Sequence, residues 1–224
     1  MILKNIKLTK SFKIEGIKNN ILFITGISGS GKSTLAYNIK KANKDKKIII
    51  FPIDIIFSFS IHTKEDILIK YVYDIEDDFL RAEFIKFVEE TPEFYFNYRD
   101  DFNDQLVSIN SCSLFKLFLH KVLPKLKIRR QDNTYYIFEG FQIFMENPKL
   151  LKDYAVIVLT TNYIKSAIRA YNRDKHKTYI INNEEIKIKN ILFKKRILKM
   201  FSKNNIHFQG LNILKKFIKE IKEN

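Results

Sequence analysis

The chain has 224 residues, of which 46% are hydrophobic and 29% are charged, and its formal net charge at pH 7 is +15. This length fits one α/β domain with a sizeable core, and no segment approaches the roughly 18 uninterrupted apolar residues of a membrane span. Cys112 is the single cysteine, so an internal disulfide is excluded, and the four histidines are scattered without metal-ligand spacing. The N-terminus lacks the long apolar stretch of a secretory signal. We therefore expect a cytoplasmic protein that does not contact a membrane, with Cys112 as an inert buried thiol.

The positive charge raises the question of a nucleic-acid partner. The 40 basic residues comprise 33 lysines and seven arginines. Nucleic-acid contacts usually use arginine heavily, whereas an excess of lysine is typical of solvated surfaces and of AT-rich coding. Two runs are locally dense, at residues 125–130 and 194–196. A small-molecule partner is therefore favoured, and a nucleic-acid partner on the basic surface stays open.

The first elements in chain order are strands. Apolar residues alternate loosely over residues 1–18 and predict one or two edge strands, and Ile21–Ile24 is an apolar run of the buried-strand type. A helix is predicted from Leu35 onwards. A second buried strand is predicted over Lys47–Ile53, and it should end near Pro52 because proline cannot donate to a sheet ladder.

A complete phosphate-binding loop of the form GxxxxGK[ST] lies between the first buried strand and the first helix. Its backbone N–H groups and the helix N-terminus form an anion cradle, so the motif predicts binding of a nucleoside triphosphate. Lys32 would reach the β- and γ-phosphates, and the Ser33 hydroxyl would bind Mg²⁺. We expect both side chains to be exposed before nucleotide binds. The predicted nucleotide-binding residues are Gly26, Ile27, Ser28, Gly29, Ser30, Gly31, Lys32, Ser33 and Thr34.

Helical spacing of apolar residues dominates residues 63–124, until Pro124 ends the pattern. The many aromatic residues of this stretch are interpreted as core rather than as base-stacking platforms. We therefore predict a helical insertion on the acceptor side of the site, over about residues 60–130.

Two further buried strands are predicted, at Tyr135–Phe138 and Ala155–Leu159. Strands that alternate with helices predict a parallel sheet covered on both faces. Glu139 would then end the third buried strand at the edge that holds the glycine loop, where its carboxylate could bind the metal. Asp54 ends the second buried strand at the same edge, where it could accept the proton of an attacking hydroxyl. The alternatives are a solvated strand-end carboxylate for Glu139 and a turn-capping residue for Asp54.

The segment after the last buried strand carries two arginines four residues apart. Arg169 and Arg173 would share one helix face, and they could close over the transferring phosphate as a lid at about residues 161–182. The alternative is a solvated face on which Arg173 pairs with Asp174. A lysine-rich helix near 183–202, a short strand at 206–208 and an amphipathic helix at 211–221 complete the predicted elements.

These motifs together resemble the P-loop kinases of the uridine kinase and nucleotide kinase type. Ile137–Gly140 is similar to the hydrophobic-Glu-Gly ending of the third strand in uridine kinase-like enzymes, Asp54 occupies the position of their acidic acceptor-site residue, and Ser166–Asp174 is similar to their arginine-bearing lid. The LSGGQ-type signature of cassette ATPases and the NKxD motif of GTPases are absent from the sequence. The resemblance implies a P-loop NTPase three-layer sandwich with a mostly parallel five-stranded sheet, formed by residues 1–224 as a single domain.

The resemblance also implies an ATP- and Mg²⁺-dependent phosphotransferase. Lys32, Asp54, Arg169 and Arg173 would be the catalytic residues, and Ser33 and Glu139 the metal ligands. The acceptor would be a hydroxyl or phosphate of a small nucleoside or nucleotide. One alternative is a kinase that acts on nucleic acid, in which Lys125, Lys127, Arg129, Arg130 and the lysines near 187–203 form a basic surface leading to Asp54. The other alternative is a nucleotide-dependent regulatory or DNA-processing ATPase.

Overall fold

The computed structural model describes most of the chain between residues 12 and 160 and several short segments outside it. The described residues are 2–4, 12–97, 104–128, 133–145, 148–160, 166, 169, 172, 178–181, 184–187 and 214–220. The strands are β1 (Ile2–Lys4), β2 (Ile21–Gly26), β3 (Lys47–Pro52), β4 (Thr134–Glu139), β5 (Ala155–Leu159), β6 (Thr178–Ile181) and β7 (Glu184–Lys187). The helices are α1 (Lys32–Ala42), α2 (Asp54–Ser58), α3 (Lys64–Tyr71), α4 (Asp78–Glu90), α5 (Asp104–Lys121) and α6 (Leu123–Ile128).

The central sheet has the strand order β1-β5-β2-β4-β3, and each neighbouring pair of strands is parallel. This confirms the predicted α/β class and parallel sheet. Because the strands run in one direction, the residues that follow the strands lie together at one edge of the sheet, here called the carboxyl edge. The residues that precede the strands lie at the opposite edge, here called the amino edge. β3 ends at Pro52, as predicted from the N–H group that proline lacks.

Alternate residues of the strands enter separate cores on the two faces of the sheet. Phe23, Phe51 and Phe138 pack into a phenyl-rich cluster with residues of α4 and α5. Leu22 and Ile137 point to the other face, where they pack with buried residues of α1. The period of two along each strand therefore produces a sheet with helices on both faces.

The predicted helical character of residues 63–124 is confirmed by α3, α4 and α5. Thr63 begins α3 with a capping box, in which its hydroxyl accepts from the Asp66 N–H group and the Asp66 carboxylate accepts from the Thr63 N–H group. The expected end of this helical pattern at Pro124 agrees to within three residues with the end of α5 at Lys121, but a further short helix, α6, follows at once. Pro124 lies in the first turn of α6, where its missing N–H would have no partner within the helix in any case.

The prediction of a lysine-rich helix near residues 183–202 is wrong over residues 184–187, the part of it that the structure describes. Residues 178–181 and 184–187 form β6 and β7, an antiparallel pair with Thr178 beside Lys187. β-Branched Thr178, Ile180 and Ile181 precede the predicted helix and favour extended backbone, and residues 184–187 pair with them. Residues 214–220 are helical, in agreement with the predicted last helix. The predicted strand at 206–208 and the burial of Cys112 lie outside what the structure describes.

None of the helices among the described residues is long and apolar enough to cross a membrane.

Candidate functional site

The glycine loop joins the end of β2 to the start of α1 at the carboxyl edge. Gly29 and Gly31 have φ angles of 77° and 97°, in the left-handed region that favours glycine. Gly31 immediately precedes the helix, and its carbonyl accepts the first helical hydrogen bond from Leu35 N at 2.9 Å. The loop therefore turns the chain directly onto a helix N-terminus, the arrangement that favours anion binding.

Gly26 fixes the loop to the neighbouring strand. It lies beside Leu159 in the ladder between β2 and β5 and has a φ of 152°. A Cβ atom at this position would lie 2.6 Å from the carbonyl oxygen of Leu159 and 2.8 Å from Oγ of Ser30. Only glycine fits between the loop and β5 without displacing backbone.

Lys32 is the first residue of α1, and its side chain is folded back over the loop. Nζ donates to the carbonyl oxygens of Gly26 at 3.1 Å and Ile27 at 3.3 Å. Lys32 is 7% exposed, so the expectation of an exposed lysine is wrong, because the loop carbonyls hold its ammonium group inside the cradle. Ser33 and Thr34 are exposed in the first turn of α1, as expected for Ser33.

Ser33 contacts the carboxylate at the end of β4. Its Oγ donates a hydrogen bond of 2.8 Å to Oε1 of Glu139, which is 5% exposed. The parallel pairing of β2 with β4 places Glu139 beside Ile24, two residues before the first glycine of the loop. Two oxygen ligands of the kind that Mg²⁺ takes therefore lie next to each other.

The spacing of these oxygens fits the metal that the motif implies. Adjacent oxygens on an octahedral Mg²⁺ with bonds of about 2.1 Å lie about 3.0 Å apart. The described residues include no group of three or more His, Cys, Asp or Glu side chains suited to a metal. Protein-bound Mg²⁺ commonly uses one or two carboxylates and completes its shell with water and substrate phosphates, so the pair is the type of ligand set expected beside a nucleotide.

Asp54 lies next to this pair along the carboxyl edge. The N–H group of Ile53 donates to the carbonyl oxygen of Glu139 at 2.8 Å, and Asp54 follows as the exposed first residue of α2. On the other side of β4, the Thr25 hydroxyl donates to the carbonyl of Gly140 at 2.9 Å. These bonds bring the ends of β2, β3 and β4 into one continuous edge that carries both predicted carboxylates.

The predicted lid is described only in part. Arg169 has an exposed side chain beyond the end of β5, and Arg173 lies outside the described residues. The shared helix face of the two arginines and their position over a nucleotide stay predictions.

Three residues at the carboxyl edge were not predicted from the sequence as part of a site. Gln142 is fully buried just after β4, and the rings of Phe57 and Phe141 lie 6.3 Å apart between centroids, in an edge-to-face arrangement. Gln142 follows the Glu-Gly pair by two positions, but nothing in the sequence marks it as buried. The proximity of Phe57 and Phe141 depends on the pairing of β3 with β4.

The dense basic run at residues 125–130 lies away from this edge. Lys125 forms an ion pair with the buried carboxylate of Glu83 on α4, and Nζ of Lys127 lies 4.9 Å from the ring centroid of Tyr154. Tyr154 immediately precedes β5, which places this contact at the amino edge. A strand of six residues separates the two edges by about 17 Å. Arg129 and Arg130 are outside the described residues.

Comparisons of this chain with protein-family models, with curated proteins and with solved structures found no match. The resemblance to uridine kinase-like enzymes therefore stays a prediction drawn from the motifs.

Proposed function

We propose that this chain is a P-loop kinase that transfers the γ-phosphoryl group of ATP to a small acceptor of the nucleoside or nucleotide type. The observation that carries the proposal is the 2.8 Å hydrogen bond from Ser33 of the glycine loop to the buried carboxylate of Glu139. In this proposal the fold is a P-loop NTPase three-layer sandwich with a five-stranded sheet, and the carboxyl edge of that sheet binds the nucleotide.

The glycine loop would bind the triphosphate. Its N–H groups and the start of α1 stabilise negative charge, and Lys32 adds a full positive charge within the same cradle. The bonds from Lys32 to the carbonyls of Gly26 and Ile27 keep the ammonium group inside the cradle. On binding, the ammonium group would exchange these carbonyls for β- and γ-phosphate oxygens, which are stronger partners because they are charged.

Ser33 and Glu139 would hold Mg²⁺. When bound, the ion supplies positive charge that offsets the charge on the phosphate oxygens during transfer. Glu139 is buried and Ser33 lies in the first turn of α1, so both ligands are fixed by rigid elements. This support favours a site that is formed before the substrates bind.

Asp54 would act on the acceptor. Its carboxylate is exposed at the carboxyl edge, next to the end of β4, where it can accept a proton from an attacking hydroxyl. Arg169 and Arg173 would approach from the segment after β5 and stabilise the charge of the phosphoryl group in flight. The reaction then needs no covalent intermediate on the protein, because positioning and charge stabilisation are the main requirements of phosphoryl transfer.

The position of the basic run favours a small acceptor over a nucleic acid. A polynucleotide guided to Asp54 by Lys125 and Lys127 would have to extend from the amino edge to the carboxyl edge. Both lysines already have partners, Glu83 and Tyr154. The lysines near 187–203 lie outside the described residues except Lys187, which ends β7.

The test is a transfer assay with γ-labelled ATP and Mg²⁺. Nucleosides, nucleoside monophosphates, single-stranded oligonucleotides and duplexes are offered in parallel, and we expect label on a nucleoside or nucleotide. Labelled oligonucleotide together with a log–log salt slope of binding steeper than about −3 would establish the nucleic-acid kinase instead. Label that appears only as inorganic phosphate, whatever acceptor is present, would establish an ATPase.

A further inference from the structure

Gln142 is a buried carboxamide that lacks hydrogen-bond partners among the residues that the structure describes. The residue has no exposed surface, and neither Nε2 nor Oε1 forms a hydrogen bond with the residues that the structure describes. Buried polar groups in native proteins are nearly always paired, so an unpaired amide that has both a donor and an acceptor calls for an explanation. A role in binding a ligand is one such explanation.

The amide lies at the carboxyl edge, over the end of β4. A Cβ atom on Gly140 would lie 2.8 Å from Oε1 of Gln142 and 2.8 Å from Cβ of Ile53. Gly140 is not among the residues with positive φ, so its backbone conformation does not require glycine. Glycine is needed here for space, because a side chain would push the Gln142 amide away from the edge between Glu139 and Asp54.

Two aromatic rings lie at the same edge. Phe141, next to Gln142 in the chain, packs against Phe57 at an interplanar angle of 68°, and both rings are half-buried. Phe57 follows Asp54 by three positions on α2, which places the ring and the carboxylate on neighbouring turns of one face. The proposed proton acceptor, the ring pair and the buried amide therefore follow one another along the ends of β3 and β4.

We propose that Gln142, Phe57 and Phe141 bind the acceptor, and that its bound part is the uncharged base of a nucleoside. This inference rests on the proposed kinase function. A carboxamide presents one donor and one acceptor side by side, the pattern found on the edges of nucleobases. Aromatic rings supply the apolar contact that a planar heterocycle needs. The exposed carboxylate of Asp54 would repel a phosphate group on the acceptor, so a free nucleoside fits better than a nucleoside monophosphate.

The decisive variant is Gln142→Leu, which removes both hydrogen-bonding groups and nearly preserves the side-chain volume, with Gln142→Met as a second apolar replacement. We expect the KM for the nucleoside acceptor to rise about 10- to 100-fold, while the KM for ATP stays within about twofold. The melting temperature should stay the same or rise, because the variant removes an unpaired buried amide. The acceptors assayed are uridine, cytidine, adenosine, guanosine and their 5′-monophosphates.

Asn43→Leu is the matched control, because Asn43 is a buried carboxamide whose hydrogen bonds are satisfied. It accepts from Ile14 N at 3.1 Å and donates to the carbonyls of Phe12 and Ile39 at 2.8 Å each. This control should lower the melting temperature and leave the KM for the acceptor unchanged.

The outcomes separate this inference from the kinase proposal. A wild-type protein that transfers label to none of these acceptors overturns the proposed function, and the inference with it. A wild-type kinase whose acceptor KM is unchanged in Gln142→Leu and Gln142→Met overturns the inference alone. A drop in melting temperature without a change in acceptor KM identifies the amide as structural and also overturns the inference. A wild-type preference for the monophosphates contradicts an uncharged acceptor.

Discussion

The hydroxyl of Ser33 donates a 2.8 Å hydrogen bond to the carboxylate of Glu139, a residue 106 positions further along the chain. The bond joins the first turn of α1 to the last residue of β4. It gives each of the two oxygens a partner within the protein, and it holds them at a separation that suits neighbouring metal ligands. The two residues should therefore behave as one unit in any measurement that depends on Mg²⁺.

A double-mutant cycle of Ser33→Ala and Glu139→Gln tests this unit. Each single variant should raise the Mg²⁺ concentration needed for half-maximal transfer, since Ser33→Ala removes an oxygen ligand and Glu139→Gln removes the negative charge of another. The double variant should be only slightly worse than the more damaging single variant, because residues that share one interaction are not additive. Asn38→Ala, on an exposed position of α1, serves as the control. Strict additivity of the two effects would show that the residues act at separate sites.

Lys32→Met should reduce turnover by about 100-fold or more, because it removes the positive charge that the cradle directs at the phosphates. Methionine is chosen because Lys32 is buried, so a smaller residue would add a packing defect. Transfer at saturating Mg²⁺ and ATP measures the effect, and the melting temperature monitors the fold. Retention of full turnover would rule out the proposed role of the loop.

Asp54→Asn should lower turnover by about 100-fold or more with little effect on ATP binding, because the amide cannot accept the acceptor's proton. Asp54 is exposed, so the melting temperature should not change. Turnover and ATP affinity are measured together, with the exposed Asp45→Asn as the matched control. A loss of less than about twofold would rule out Asp54 as the proton acceptor.

Arg169→Ala should reduce turnover more than it reduces ATP affinity, because the proposed contact strengthens as charge develops on the transferring group. The Arg169 side chain is exposed, so its truncation should leave the fold intact. Steady-state transfer and equilibrium ATP binding give the two quantities. Equal losses in both would indicate a ground-state phosphate contact rather than a lid.

His62 should make stability depend on pH near neutrality. Partial burial, and next the nearby Lys70, hold the pKa of His62 below its ordinary value of 6.5, although Asp66 opposes the shift. The unfolded chain therefore takes up the proton first, and stability falls as pH drops from above 6.5 through the lower folded pKa. Melting temperatures of wild type and His62→Gln between about pH 7.5 and 5.5 measure this, with the exposed His120→Gln as the control. Equal slopes for wild type and His62→Gln would contradict the assignment.

Local signals explain what the sequence could predict. The glycine loop, β2, β3, β4 and β5 are contiguous patterns of apolar or glycine residues, so Glu139 and Asp54 could be placed at one edge from strand order alone. The burial of Lys32 and Gln142 could not be predicted, because it depends on chain segments that meet only in the folded sheet. The β6–β7 pair was missed since its lysine and glutamate content is also typical of a surface helix.

The contact between Gly26 and the Leu159 carbonyl has a consequence for the thermodynamics of nucleotide binding. Gly26, the first residue of the loop, is the last residue of β2 and is held in the sheet by its pairing with β5. The other end of the loop is fixed by the start of α1. Ordering of a binding segment is a major entropic cost of association. A triphosphate that meets this loop would therefore bind with a small entropic penalty, because folding has already arranged the N–H groups that receive it.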